Sequence, residues 1–302
     1  TSYAKRATIV HPCMGAWTTR FQGRSNTTLP GSVVVGGGSQ FAGSGFLGSQ
    51  HMPLTIGNPE AGLQNSKRMA NVTEKQFDDR LKLAGRLGKK FRNKYDLAAT
   101  KAYSDMYTDA VKLMSSKDLQ AFDLSKEPEQ MKDLYGEDSF GQGCLLARRL
   151  VENNVRYVEV NLGGWDTHQN NFVSAPERCA LLDQGLSALL QDLESRGMLD
   201  ETLVVLATEF GRTPTINQNV GRDHYPKAFS GFLAGGGIKG GQTYGKTDEG
   251  GYNVIEDKVT IPDFNATIAY ALGLPLGEVV YSPTRRPFTV ADKGLPLTHL
   301  FA

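Results

Sequence analysis

Acidic and imidazole side chains stand in three polar segments of the second half of the sequence. The first segment carries Asp166 and His168, the second begins with Glu209, and the third carries Asp223 and His224. Mixtures of carboxylate and imidazole are what Zn²⁺, Mn²⁺ and Fe ions accept, and two such ions can clamp the oxygens of an in-line phosphoryl displacement. The pattern therefore makes these five residues candidate metal ligands. A plainer interpretation stays open, in which the aspartates cap turns and the histidines are ordinary loop residues.

Arg212 is the candidate catalytic residue. It stands three residues after Glu209, and its planar guanidinium could hold a phosphate or sulfate through two parallel hydrogen bonds. The alternative is that Arg212 pairs with a neighbouring carboxylate such as Asp223 and fixes the loops.

Strands and a helix must position these segments. Residues 155–162 are rich in β-branched and aromatic side chains, residues 202–208 form an apolar run, and four leucines at helical spacing lie between them. This βαβ pattern predicts two parallel neighbouring strands, with Leu186 and Leu189 packed between helix and sheet. Ligands of open α/β sheets bind outside the carboxyl ends of the strands, where Asp166 and its partners stand.

The remaining segments continue the alternation of strands and helices. Further strands are predicted at residues 32–35 and 229–234, and a further helix at residues 264–272, closed by Gly273. Ser139 and Gln142 fit a capping box at the start of another helix. The sequence thus predicts an α/β fold with a mainly parallel sheet flanked by helices.

A helical segment interrupts this pattern in the first half of the chain. Thr73 and Gln76 fit a capping box, and apolar residues keep helical spacing, so residues 73 to 116 predict a helical hairpin and residues 73–134 an insertion outside the sheet. Residues 67–94 hold ten Lys/Arg and three Asp/Glu. We interpret them as a solvated basic helix face, with a binding surface for an anionic partner as the alternative.

Composition excludes several classes of protein. The 302 residues include 33 Lys+Arg and 32 Asp+Glu, and this balance argues against a nucleic acid partner. No apolar run approaches the roughly 18 residues of a membrane span. Three widely spaced cysteines indicate neither a zinc ribbon nor a disulfide framework. Two glycine-rich strings after residue 234 match nucleotide-binding patterns, but no helix is predicted after them, which argues against nucleotide binding and favours a glycine-rich loop near the site.

Four short motifs follow one another in a specific order. They are FGQGCLLARR at residues 140–149, GGWDTH at 163–168, TEFGRTP at 208–214 and GRDH at 221–224. In order and spacing they resemble the bacterial "domain of unknown function 1501" family. The resemblance covers nearly the whole chain and is strongest over residues 140–273.

The resemblance implies a place in the alkaline phosphatase and sulfatase superfamily, whose members hydrolyse phosphate or sulfate esters at one or two metal ions. Asp166, His168 and His224 would form one metal site and Glu209 would serve a second, with Asp223 a further candidate ligand. The ion would be zinc, manganese, magnesium or calcium, and the partner a small-molecule or carbohydrate ester. Family members usually carry a twin-arginine export signal, which implies a periplasmic or extracellular protein.

The sequence departs from the superfamily pattern at several positions. Phe210 stands where the superfamily has a ligating His or Asn, and Asn265 stands where a family His is expected. The resemblance also implies that a first core strand, with a metal-binding Asp and a Ser/Thr nucleophile, lies upstream, so that residues 1–302 form a single domain lacking its first strand. The alternative function is therefore a catalytically silent exported protein that uses the fold for carbohydrate or surface binding.

Overall fold

The computed structural model describes residues 2–4, 7–37, 43–95 and 98–302, with the backbone alone at residues 98, 99 and 101–103. Within these ranges the chain is a mixed α/β structure. None of the described helices is long and apolar enough to cross a bilayer. The α-helices are α1 (Met14–Gln22), α2 (Glu74–Lys94), α3 (Ala98–Met114), α4 (Glu129–Tyr135), α5 (Ser139–Glu152), α6 (Asn171–Ser195) and α7 (Ile261–Ala271).

The strands are short, and most have two or three residues. They are β1 (Ser32–Val35), β2 (Leu54–Ile56), β3 (Tyr157–Val160), β4 (Val204–Leu206), β5 (Gly211–Arg212), β6 (His224–Tyr225), β7 (Phe232–Ala234), β8 (Lys246–Thr247), β9 (Val254–Glu256), β10 (Val280–Tyr281) and β11 (Pro287–Phe288).

A parallel sheet of three strands, in the order β2-β1-β3, forms the centre of the fold. All four residues of β1 are buried, as expected for an apolar strand covered on both faces. Two glycines allow close packing: a Cβ at Gly143 of α5 would lie 2.9 Å from Val160 Cγ1, and one at Gly15 of α1 would lie 2.9 Å from Ser32 Cβ. The predicted α/β class, with helices against the sheet, is confirmed at this level.

The prediction of a mainly parallel sheet is wrong for the second half of the chain. There β4 pairs with β7, β5 with β6, β8 with β9 and β10 with β11, all antiparallel. Residues 207–231, all of them described, contain no α-helix, and a parallel pair needs a crossover connection that is usually helical. The expected pairing of β3 with β4 is also wrong among the described strands, because β3 is an edge strand beside β1 and β4 lies in a separate sheet with β7.

Helix boundaries follow the sequence signals closely. The capping box of Thr73 and Gln76 opens α2 as predicted, and Gly273 follows α7 with a positive φ of 67°. At α5 the cap is Asp138, which accepts hydrogen bonds from the backbone N–H groups of Phe140 and Gly141. The predicted capping box of Ser139 and Gln142 is therefore wrong, because Asp138 supplies the N-cap and a carboxylate is as good an N-cap as a hydroxyl.

The main core lies between α5, α6 and the parallel sheet. Leu189 packs against this core as predicted, whereas Leu186, which is half-buried, lies outside it. The helical segment 73–134 contributes Leu113, Phe122 and Leu124 to the same core, so its second half does not stand apart from the sheet.

A buried ion network ties α5 to α6 at the edge of this core. Arg148, whose side chain is 1% exposed, donates to Asp192 Oδ2 at 2.7 Å and to Glu127 Oε2 at 2.6 Å. The Tyr135 hydroxyl donates to the same Asp192 oxygen at 3.0 Å. Burial, together with the negative charge of Asp192, raises the pKa of Tyr135, so this hydroxyl remains a donor.

Candidate metal centre

The loop that follows β3 presents Asp166 and His168. Two tight turns shape it, since Thr167 N–H donates to the Trp165 carbonyl and His168 N–H to the Asp166 carbonyl. Thr167 itself is buried, and its hydroxyl donates to Asn171 Oδ1 at 2.6 Å in the first turn of α6. Thr167 thus anchors the loop inward, and its two neighbours point away from the core.

A short antiparallel pair presents the second half of the centre. Strands β5 and β6 place Arg212 opposite His224. The connection between them is folded back by Asn217, whose Oδ1 accepts from the backbone N–H groups of Asn219 and Gly221. Side chains that bond to backbone two to four residues onward are typical of such Asx-type turns.

Hydrogen bonds of backbone and side chain join the two loops. Arg222 N–H donates to the Thr167 carbonyl, and Asn171 N–H donates to the Val220 carbonyl at 3.0 Å. Asn217 Nδ2 donates to the His168 carbonyl at 3.0 Å. The loops approach so closely at Gly221 that a Cβ there would lie 2.0 Å from the His168 carbonyl oxygen. The position of His168 is therefore set by the second loop.

Asp166, His168 and His224 converge on one point, which confirms the predicted clustering. Asp166 Oδ1 lies 2.9 Å from His224 Nε2 and 3.2 Å from His168 Nε2, and the two imidazole nitrogens are 3.1 Å apart. The three side chains are 71%, 42% and 47% exposed in sequence order, so the cluster is open to solvent.

Asp223 contacts the outer nitrogen of His168. Its Oδ1 lies 2.7 Å from His168 Nδ1 and accepts a second hydrogen bond from Asn217 Nδ2 at 3.0 Å. These hydrogen bonds, from His168 first, lower the pKa of the Asp223 carboxyl. An ionised carboxylate at Nδ1 holds the ring proton there, which leaves the Nε2 lone pair of the neutral imidazole directed at the cluster.

The Arg212 guanidinium donates hydrogen bonds to other groups of the protein. Its NH2 donates to Asp166 Oδ1 at 2.8 Å and to the Trp165 carbonyl at 2.7 Å, and NH1 donates to the Arg222 carbonyl at 3.2 Å. Hydrogen bonds from His224 and then Arg212 lower the pKa of Asp166 to about 2. Of the two interpretations of Arg212, the geometry favours pairing with a neighbouring carboxylate, and the partner is Asp166 rather than Asp223.

Three other residues considered in the sequence lie outside the three-residue group. Glu209 is exposed and contributes no atom to it. The Phe210 ring packs on the His224 ring, with centroids 4.3 Å apart, and so helps to orient that imidazole. Asn265 of α7 donates to Ser2 Oγ at 3.1 Å.

Sequence reasoning missed Asn217, which supports both His168 and Asp223. Its only local signal is turn chemistry, because Asn217, Asn219 and Gly221 are residue types that favour turns. That signal indicates a turn and does not reveal that the amide reaches a histidine 49 residues earlier.

The three donor atoms fit a divalent metal ion. Tetrahedral zinc with bonds of about 2.0 to 2.2 Å has ligand atoms separated by about 3.3 to 3.6 Å, slightly more than the separations of 2.9 to 3.2 Å found here. The carboxylate behind His168 also matches the carboxylate–histidine pairs that support metal ligands. Two nitrogens and one oxygen favour zinc or manganese over magnesium and calcium, which prefer oxygen ligands alone.

The chain belongs to the family described as "Protein of unknown function (DUF1501)", because the model of that family matches residues 2–301. This confirms the resemblance found in the sequence at the level of the family. No curated protein and no solved structure matches the chain.

Proposed function

We propose that this member of the DUF1501 family binds one divalent metal ion, zinc or manganese, through Asp166, His168 and His224, and hydrolyses phosphate or sulfate esters beside it. The observation that carries the proposal is the meeting of one carboxylate oxygen and two imidazole nitrogens within about 3 Å of one another. The proposal places the chain in the alkaline phosphatase and sulfatase superfamily. It also makes the protein periplasmic or extracellular, as the family resemblance implies.

The bound ion would supply Lewis-acid chemistry, drawing charge from an ester oxygen. The residues of the chain prepare the centre for it. Asp223 holds the proton of His168 on Nδ1, so that Nε2 is free to ligate. Arg212 fixes Asp166 in its ionised form, and one guanidinium nitrogen stays within 2.8 Å of the cluster as a positive charge near a bound anion.

A second candidate function is metal-dependent binding of a carbohydrate or surface without catalysis. The observation that favours it is the position of Glu209, which does not join the cluster to build a second metal site. Members of the superfamily hydrolyse esters at one or at two metal ions, and a two-ion mechanism would need a second site of this kind. A protein that binds without catalysis would need only the one ion held by Asp166, His168 and His224. The two functions share the ion and differ in turnover.

The test begins with metal binding. The full chain, stripped with a chelator, is titrated calorimetrically with zinc, manganese, magnesium and calcium. We expect one site that takes zinc or manganese and rejects calcium. His224→Ala and Asp166→Asn should abolish binding, whereas His299→Ala, which removes an exposed histidine elsewhere, should not.

Turnover is then measured on p-nitrophenyl phosphate and p-nitrophenyl sulfate with the loaded protein. Hydrolysis that requires the ion and is lost in His224→Ala supports the hydrolase. Tight zinc binding without turnover on either ester class supports the silent binding protein instead. Absence of any stoichiometric metal binding would overturn both functions.

A further inference from the structure

Helix α2 presents an amphipathic surface that nothing in the described structure covers. None of its 21 residues is buried. On one side Phe77, Leu81 and Gly88 are half-buried, whereas most other residues of the helix are exposed. The opposite, outward part of the helix is independent of the metal centre.

Three large apolar side chains form a row on this outward part. Leu83 is 50% exposed, Leu87 is 61% exposed and Phe91 is 55% exposed. Residues four apart lie above one another on a helix, so these three form a continuous row about 12 Å long. The Tyr95 ring extends the row, with its centroid 4.8 Å from that of Phe91.

A second row, of basic residues, runs beside the apolar one. Arg86, Lys90 and Lys94 each stand three residues after a member of the apolar row and therefore lie next to it. From residue 80 to residue 94 the helix has seven Lys/Arg and no Asp/Glu. Lys94 Nζ lies over the Tyr95 ring, 5.3 Å from its centroid, so the basic and apolar rows meet at this end of the helix.

We propose that α2 docks on the surface of an anionic lipid bilayer, with the apolar row among the acyl chains and the basic row among the headgroups. A helix with a basic polar face and Leu or Phe on the other face lies in the plane of such an interface. Each Lys or Arg near an anionic leaflet adds attraction, and burial of the apolar row adds the hydrophobic contribution.

Charge complementarity selects the lipid surface over two other occupants. In a symmetric dimer the same patch meets itself, so the row of Arg86, Lys90 and Lys94 would face like charges. A nucleic acid or another anionic polymer would neutralise the basic row and leave Leu83, Leu87 and Phe91 in water. An anionic bilayer satisfies both rows at once.

The test is co-sedimentation of the full chain with vesicles of phosphatidylcholine, with and without phosphatidylserine. We expect binding only when phosphatidylserine is present, and weaker binding as salt is raised. Replacing Arg86, Lys90 and Lys94 by Gln should lower the partition coefficient roughly a hundredfold. Replacing Leu83, Leu87 and Phe91 by Gln should lower it by roughly tenfold or more, because the hydrophobic contribution is lost.

A control variant with the same change in net charge tests whether the loss of binding is specific to the basic row of α2. Lys227, Lys258 and Lys293 are exposed lysines outside α2, and replacing all three by Gln gives the same change in net charge. This control should bind the vesicles nearly as the unaltered chain does. Circular dichroism and the unfolding transition of each variant should match those of the unaltered chain, because every replaced residue is exposed.

Several outcomes would overturn the proposal. One is binding to phosphatidylcholine alone with equal strength, and another is loss of vesicle binding by the control to the same degree as by the basic-row variant. A third is a concentration-dependent dimer in analytical ultracentrifugation that disappears in the apolar-row variant, which would assign the surface to a second copy of the chain.

Discussion

Gly221 offers the sharpest perturbation of the metal centre, although it is not itself a candidate ligand. It is buried where the loop between β5 and β6 crosses the loop that carries His168. In Gly221→Ala the new Cβ would lie 2.0 Å from the His168 carbonyl oxygen and 2.1 Å from its carbonyl carbon, whereas real Cβ contacts essentially never fall below 3.0 Å. The contacting atoms belong to backbone, so rotation of a side chain cannot relieve the overlap.

The size of the effect follows from these distances. The two loops must separate by 3.0 − 2.0 = 1.0 Å or more, whereas metal ligands tolerate about 0.2 Å. A displacement of 1 Å in a functional group typically costs on the order of a hundredfold. We therefore expect zinc affinity to fall by about that factor, and the free energy of unfolding of the metal-free chain to fall by about 1 to 3 kcal/mol, as for overpacking elsewhere.

Calorimetric zinc titration and urea denaturation measure the two effects. The matched control is Gly163→Ala, in the loop before Asp166, where a Cβ meets no atom within 4 Å. The control should keep both values close to those of the unaltered chain. A Gly221→Ala variant that behaves like Gly163→Ala in both assays would refute the argument that this close approach positions His168.

Three further predictions concern charged groups. Asp192→Asn should lower the free energy of unfolding in urea by about 1.5 to 3 kcal/mol, because the buried Arg148 loses one of its charge-assisted hydrogen bonds while Glu127 still balances its charge; a loss below about 0.5 kcal/mol would contradict this. Asp223→Asn should weaken zinc binding by about 10- to 100-fold in calorimetry without abolishing it, because the His168 ring loses its supporting carboxylate; complete loss would indicate that Asp223 is a direct ligand. In the folded chain the pKa of the Asp166 carboxyl lies below the value that the same carboxyl has in the unfolded chain. Its hydrogen bonds with His224 and Arg212 therefore add stability above about pH 4, and this stability is lost as the pH falls toward about 2. Thermal unfolding of the metal-free protein followed from pH 4 to pH 2 should therefore show a smaller decline in Asp166→Asn, and equal declines would argue against this interaction.

Local sequence signals predicted the elements better than their pairing. The helices α2, α5, α6 and α7 and the strand β1 lie where periodicity and caps placed them, because those signals act within a few residues. Strand pairing depends on contacts between distant segments. Nothing in residues 202–208 indicates that β4 would pair with β7, and only the helix-free connection between them hints at an antiparallel arrangement.

The sequence predicted which residues form the candidate site, but it did not predict which backbone elements bring them together. Asp166, His168 and His224 were expected to meet because loops after neighbouring parallel strands share an edge, yet His224 arrives on a β-hairpin fastened to the first loop by Asn217 and Arg222. The residue types needed for metal binding are visible in a sequence. Which ring nitrogen of His168 faces Asp223 depends on side-chain rotamers and the loop backbone, and local patterns do not encode them.

The span of chain between the two histidines gives the centre a role beyond chemistry. His168 and His224 are 56 residues apart, so an ion held by both would act as a reversible cross-link that closes a long loop. Such an ion binds the folded chain in preference to the unfolded one, and at a free concentration one hundred times its dissociation constant it would add about 2.7 kcal/mol to stability. Thermal stability would then report the supply of the metal, and a screen of ions by melting temperature could identify the physiological one before any substrate is known.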